Sequence, residues 1–130
     1  MTEQDRKPKG HVISRSVAMP AHTNPNGDIF GGWIMSEMDI AAGMLAKQIA
    51  GGRVATVSVD TITFLRPVNV GDTVTCYGEL ERVGRTSMAL KIEVWTAGAL
   101  ERIEHEKCVT EATFTFVAID ENGRPTPVKR

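Results

Sequence analysis

Between residues 33 and 50 the chain contains no proline, and its apolar side chains recur at helical spacing. Ile34, Met38, Ala41, Ala42, Leu45 and Ile49 fall on one stripe of a helix wheel, which predicts a helix buried along one side. No other stretch of the chain is long enough and regular enough for a comparable helix. Gly51-Gly52 supplies its C-terminal cap. The approach to the helix is rich in turn signals: Asn24-Pro25, Asn26-Gly27, then the pair Gly31-Gly32.

Elsewhere the period is two. Residues 11–19 alternate weakly and predict a short first strand closed by Pro20. After the helix, residues 54–65 are rich in β-branched types and stop at Pro67, and Val70-Gly71-Asp72 makes a turn. Residues 73–83 follow as a strand with Val74, Cys76, Gly78 and Leu80 on one face, and Gly84-Arg85 reads as a two-residue hairpin turn. Residues 87–95 alternate most cleanly, with Met88, Leu90, Ile92 and Val94 on one face. A charged bend over 97–107 precedes a last strand over 108–119, with Cys108, Thr110, Ala112, Phe114 and Phe116 in phase.

Strands joined by short turns imply an antiparallel sheet, and one helix must cover one of its faces. The expected fold is therefore α+β, a five-stranded antiparallel sheet wrapped around one long central helix. It occupies residues 11–123, between a flexible N-terminal segment (1–10) and an extended or disordered tail (124–130). One helix leaves an edge strand and part of the sheet bare, which favours dimerisation.

Composition narrows the field of functions. The 130 residues suit one domain, and 42% hydrophobic and 24% charged residues are those of an ordinary soluble protein. Fifteen Lys and Arg against sixteen Asp and Glu leave no basic excess for nucleic acid. No apolar run approaches membrane-spanning length, and the first residues lack the apolar core of a secretory signal. Cys76 and Cys108 sit in strands without further metal-type ligands, so reduced thiols in a cytoplasmic protein, and no metal, are expected.

Against this background Asp39 is out of place. It lies two turns into the helix, too far in to act as a cap or to meet the helix dipole, and aspartate is a mediocre former of interior helix. On the wheel it borders the apolar stripe among small neighbours, Ala42, Gly43 and Ala46, which leave space for a substrate. Read from the helix alone, an ordinary exposed aspartate at the edge of the stripe fits as well. Gly31 and Gly32 permit close backbone approach at a helix N-terminus, where free N–H groups can hold an anion or a developing oxyanion; a flexible joint is the plainer alternative.

Longer motifs carry a resemblance. His22-Thr23-Asn24, the run from Gly27 to Met35, Met38-Asp39, Arg53 to Val57, Phe64-Leu65-Arg66-Pro67, Val70-Gly71-Asp72, Val83 to Ser87 and Phe114 to Val117 together resemble the hotdog-fold acyl-CoA thioesterases, most closely the YciA-like group. The loop Asn-x-x-Gly-x-x-x-Gly-Gly followed by Met-Asp on a helix is the specific part. The resemblance implies hydrolysis of acyl-CoA thioesters to CoA and a carboxylic acid, without metal or cofactor. It further implies Asp39 as the catalytic acid, Asn24 as its loop partner, and sites formed between two subunits of a homodimer. Such dimers commonly assemble into a hexamer, a trimer of dimers.

From the residues themselves, a half-buried Asp39 would serve as general base toward water or as a nucleophile forming an anhydride. Asn24 would orient the water or the carbonyl, and Gly31 and Gly32 would offer backbone N–H groups to the oxyanion. Arg85 with Thr86 and Ser87, then Arg66 and Arg53, are the candidates for the CoA phosphates. Glu37 reads as solvated, and His22 as a structural residue of the loop. A hotdog module that binds acyl-CoA without cleaving it, and a hydratase or dehydratase, are the competing functions. The first has no need of a mid-helix acid, and the second lacks a histidine on or near the helix.

Overall fold

A computed structural model describes residues 6–129 of the chain. The expected helix forms as α1 (Gly31–Ala50), which takes both glycines into its first turn. Gly51 ends it at φ 70° in the left-handed region, its N–H donating to the Lys47 carbonyl. Ile34, Met38, Ala41, Ala42, Ala46 and Ala50 are buried, whereas Leu45 and Ile49 sit half-buried at the margin. The small alanines take the closest approach to the sheet. Leu45 lies over Gly78, where an added Cβ would come within 3.2 Å of its Cδ2.

Five strands follow the expected order: β1 (His11–Val17) before the helix, then β2 (Val54–Phe64), β3 (Thr73–Val83), β4 (Ser87–Ala97) and β5 (Lys107–Ala118). They form one antiparallel sheet in the order β1-β3-β4-β5-β2, and α1 contacts every strand. Met38 of the helix, Met88, Leu90, Ile92 and Val94 of β4, and Phe114 and Phe116 of β5 form the core. Fully burying each large side chain contributes about 1.5–3 kcal/mol.

Three local expectations change. β1 stops at Val17 because Pro20 opens a short 3-10 turn, Pro20–His22. The charged bend carries a second such turn, Ile103–His105. The β3–β4 turn sits one residue later than expected: Val83 pairs with Met88, and Gly84 N–H donates to the carbonyl of Ser87, the first residue of β4, which leaves Arg85 and Thr86 at the tip.

The edge strands are β1 and β2. β2 shifts register twice against β5, between Thr56 and Ser58 and between Asp60 and Thr63. Inside the second irregularity Thr61 holds φ 51°, an unusual conformation for a β-branched residue. Val57 on this strand is 61% exposed, and Phe30, Met35, Phe64 and Leu65 nearby also expose apolar surface.

Both terminal segments pack more than their composition suggested. Part of the segment expected to be flexible, residues 1–5, lies outside the described residues. Residues 6–10 lie against the face of the sheet turned away from α1. There Glu93, 1% exposed, accepts hydrogen bonds from Trp95 Nε1 (2.9 Å), the Lys9 N–H (3.2 Å) and Arg6 Nη2 (3.1 Å). Arg6 also pairs with Glu111, which Lys91 meets at 3.3 Å. Of the tail, Thr126 N–H donates to the Ala118 carbonyl and Val128 N–H to the Arg85 carbonyl, each at 2.8 Å, and Val128 is buried. A buried carboxylate such as Glu93 must be matched by donors, and the leading segment provides two of them.

The hydrogen bond from Arg6 holds the Glu111 carboxyl below the ordinary glutamate range, against a smaller opposing effect of burial. A lowered folded-state pKa means that the unfolded chain binds the proton first as pH falls. The stabilisation is therefore complete above the ordinary value of 4.5 and is lost as pH drops through the folded-state value. Urea unfolding should show Arg6→Ala less stable than wild type by roughly 1–2 kcal/mol at neutral pH. The gap should narrow on acidification below about pH 4. A gap independent of pH would mean that the Arg6–Glu111 pair contributes nothing.

Candidate active site

The loop before α1 is built around Asn24. Its Oδ1 accepts the N–H groups of Asn26 (2.9 Å) and Asp28 (3.1 Å), while its own N–H donates to the Asp28 carbonyl at 2.7 Å. This is the side-chain-to-backbone closure that favours Asn in turns, and Gly27 completes it at φ 86°. With Oδ1 taken twice by backbone, the side-chain amide NH2 is the group left to act as a donor. His22 packs within the loop. Its Nδ1 accepts the Met19 N–H at 3.3 Å, and its ring stacks on Trp33 at 4.6 Å.

Gly31 and Gly32 form the first turn of α1, where backbone N–H groups have no carbonyl four residues back. Neither donates to an acceptor among the described residues. Both positions are crowded by aromatic rings. A Cβ on Gly31 would meet Phe64 Cζ at 3.3 Å, and one on Gly32 would meet Phe30 Cε2 at 3.2 Å. Each ring would have to give way by a few tenths of an ångström to admit a Cβ.

Asp39 stands at the edge of a hollow of about 310 Å³ between α1 and the sheet, lined also by Gly32, Met35, Ser36, Thr56, Val59 and Phe114. Thr56 Oγ1 of β2 donates to Asp39 Oδ1 at 2.7 Å. In the single chain Asp39 is exposed rather than half-buried, because β2 is an edge strand and, among the described residues, no strand lies beyond it. Thr56 was not singled out as a site residue. Within a run of valines and threonines it is indistinguishable from an ordinary strand former. Glu37 is not solvated: it is half-buried and accepts the Ser16 hydroxyl at 2.7 Å, tying α1 to β1.

Asn24 and Asp39 do not meet within the chain. Asn24 lines a separate hollow of about 490 Å³ with Asp28, Gly31, Ile34, Phe64 and Arg66, whereas Gly32 shares the hollow of Asp39. The glycine pair thus stands between the two hollows.

The basic candidates also divide. Arg85 is exposed in the 84–87 turn, and the carbonyls of Arg85 and Thr86 accept N–H groups from Val128 and Ala118. Ser87 is half-buried at the start of β4. Arg53 Nη1 donates to the carbonyls of Asp120 (3.3 Å) and Glu121 (3.2 Å), beside the same tail. Arg66 lies apart from these, in the hollow of Asn24, where Nη1 donates to the Cys108 carbonyl at 2.9 Å.

Another hollow of about 490 Å³, lined by Arg6, Arg66, Trp95 and residues 104–107, lies away from Asp39. Cys76 and Cys108 are free and buried, and burial pushes the Cys76 thiol up to about 11, which makes it a poor nucleophile. Among the described residues, no group of His, Cys, Asp and Glu could hold a metal ion, and no helix is long and apolar enough to cross a membrane.

Known proteins resemble the chain in sequence and in fold. Residues 26–102 match the family model of the thioesterase superfamily. The acyl-CoA thioester hydrolase YciA of Escherichia coli is 52% identical over 126 residues, covering 96% of this chain and 96% of that protein. The hexameric thioesterase of Yersinia pestis has a TM-score of 0.90 at 48% identity, with 95% of this chain and 99% of that one covered. A hexameric hotdog fold thioesterase of Campylobacter jejuni has a TM-score of 0.82 at 36% identity, covering 92% and 91%. Matched across most of its length in both sequence and fold, the chain belongs to the thioesterase superfamily and carries the hotdog fold.

Proposed function

We propose that the protein hydrolyses acyl-CoA thioesters to CoA and a carboxylic acid, with Asp39 as the catalytic carboxylate. The observation that carries this reading is Asp39 itself, a mid-helix acid held by Thr56 at the mouth of an apolar hollow. A module that only binds acyl-CoA would gain nothing from such a group. The names of the similar proteins, acyl-CoA thioester hydrolases among them, support the substrate class.

In this reading the thioester carbonyl oxygen faces the Gly31 and Gly32 N–H groups, which stabilise the charge it gains in the transition state. The Asn24 amide donates to the carbonyl or to the water. Thr56 fixes one oxygen of Asp39 and leaves the other to work. As general base, Asp39 takes a proton from the attacking water, the C–S bond breaks, and the proton passes to the departing thiolate of CoA. As nucleophile, it would form an anhydride that water then cleaves. Neither route uses a metal or a cofactor. Arg85 with Thr86 and Ser87, together with Arg53 and Arg66, receive the phosphates of CoA.

A second copy completes the site. Asn24 and Asp39 occupy separate hollows in one chain, and the bare edge of β2 lies beside exposed Val57, Phe64 and Met35. Pairing two chains across this region would bury that surface, cover Asp39, and bring Asn24 of one chain to Asp39 of the other. The hexameric relatives suit a trimer of such dimers.

Thiol release from a panel of acyl-CoAs tests the activity. Asp39→Asn should keep fold and assembly and lower kcat by roughly a hundredfold or more. Retention of a third of the activity would remove Asp39 from the chemistry. Refolding Asp39→Asn together with Asn24→Ala should restore about a quarter of wild-type activity, since half the randomly paired dimers then hold one intact site. No recovery despite subunit exchange confirmed by mass would place both residues in a single-chain site.

Thr56→Val keeps the shape of the side chain and removes the hydroxyl. It should lower kcat about tenfold with little change in KM, because it loosens the carboxylate rather than the substrate. Arg85→Ala should instead raise KM, and its effect should shrink at high salt, which screens an exposed phosphate contact. A fall in kcat at constant KM would remove Arg85 from CoA binding.

A further inference from the structure

Three methionines lie on α1, and the structure gives each a different setting. Met38 is 0% exposed in the core, whereas Met44 is 50% exposed and lines none of the hollow beside Asp39. Met35, 41% exposed, lies one turn before Asp39 and lines that hollow with it. Nine residues separate Met35 from Met44, which puts them on opposite sides of the helix.

The other apolar walls of the hollow are stiff. Phe114 is 2% exposed and stacks on Phe116, with ring centroids 6.5 Å apart. Val59, paired with Phe114 across β2 and β5, is β-branched and restricted at χ1. Met35 is unbranched, with three rotatable bonds beyond the backbone, and can fold across the hollow or swing out of it.

We infer that the hollow beside Asp39 receives the acyl chain, and that Met35 is the movable wall that sets how long a chain it accepts. This rests on the reading of the protein as an acyl-CoA thioesterase. A short acyl group leaves Met35 folded in over it. A longer one displaces the thioether from the hollow and takes its place against Phe114 and Val59. Each methylene that enters apolar surroundings should then tighten binding about fourfold until the hollow is full, after which the gain stops.

The experiment measures kcat/KM for straight-chain acyl-CoAs of increasing length with wild type, Met35→Ala and Met35→Trp. In parallel, calorimetry gives Kd for the same series with each Met35 residue placed in the Asp39→Asn background, where turnover does not interfere. With increasing chain length kcat/KM should rise and Kd should fall, each to a breakpoint. The breakpoint should move to longer chains in Met35→Ala, by about three carbons, the number of heavy atoms removed beyond Cβ. It should move to shorter chains in Met35→Trp. Met35 lies outside the buried core of the chain, so both variants should fold, and circular dichroism and native mass check that fold and assembly match wild type.

If both substitutions scale the whole series by one factor, or leave the breakpoint where it was, Met35 does not gauge the chain and the inference is overturned. If wild type releases thiol from no acyl-CoA, the proposed activity fails. The Kd series then still decides the role of Met35 through the position of its breakpoint.

Discussion

The close contact between α1 and the concave face of the sheet is the constraint on which the rest of the structure depends. The helix meets the strands through Ala41, Ala42, Ala46 and Ala50, and Gly78 on β3 has no side chain to hold Leu45 away. Small residues at this contact bring the two backbones together. The large apolar volume is then supplied from the sheet side by Leu90, Ile92, Phe114 and Phe116. At that short separation the margins of the helix fall directly onto neighbouring strands: Glu37 reaches Ser16 of β1, and Asp39 reaches Thr56 of β2. A bulkier stripe would push the helix outward and leave Asp39 without its hydroxyl partner.

The opposite face of the sheet is organised by charge. Glu93 and Trp95 project away from α1 and are almost fully buried, although α1 does not cover them. Residues 6–10 do so, with an arginine and a backbone N–H directed at the carboxylate. One sheet therefore carries two buried layers of different chemistry, an apolar one that sets the fold and a polar one that secures the chain's beginning. The hollow of Asp39 belongs to the first layer and the hollow of Arg6 to the second.

Periodicity made the helix and all five strands legible in the sequence, since a period of 3.6 or 2 reports directly which side of an element is buried. The oddity of Asp39 was legible because a charged residue in mid-helix is unexplained by propensity. Thr56 was not, because its role comes from a contact across seventeen positions while its type is what any strand would carry. The burial of Asp39 and the setting of Glu37 were misjudged for a related reason: a helix wheel shows the side a residue faces, not which strand, or bare edge, lies opposite. Residues 6–10 and the tail looked loose because hydrophilic composition predicts loops, yet a buried glutamate and an open turn gave each a place to bind. The division of Asn24 and Asp39 between two hollows is a matter of tertiary placement that no local pattern encodes.

The irregular course of β2 has a bearing on what can join this edge of the sheet. A flat edge of eleven residues carrying Val57 and Phe64 would be a template on which further chains could stack without limit. The register shifts at 56–58 and 60–63, with Thr61 turned into the left-handed region, twist the strand and break its row of outward backbone groups. A neighbouring strand finds only a short straight stretch to pair with and then loses register. Pairing along this edge is thereby held to a short stretch in register, which suits one partner strand and not an open-ended stack.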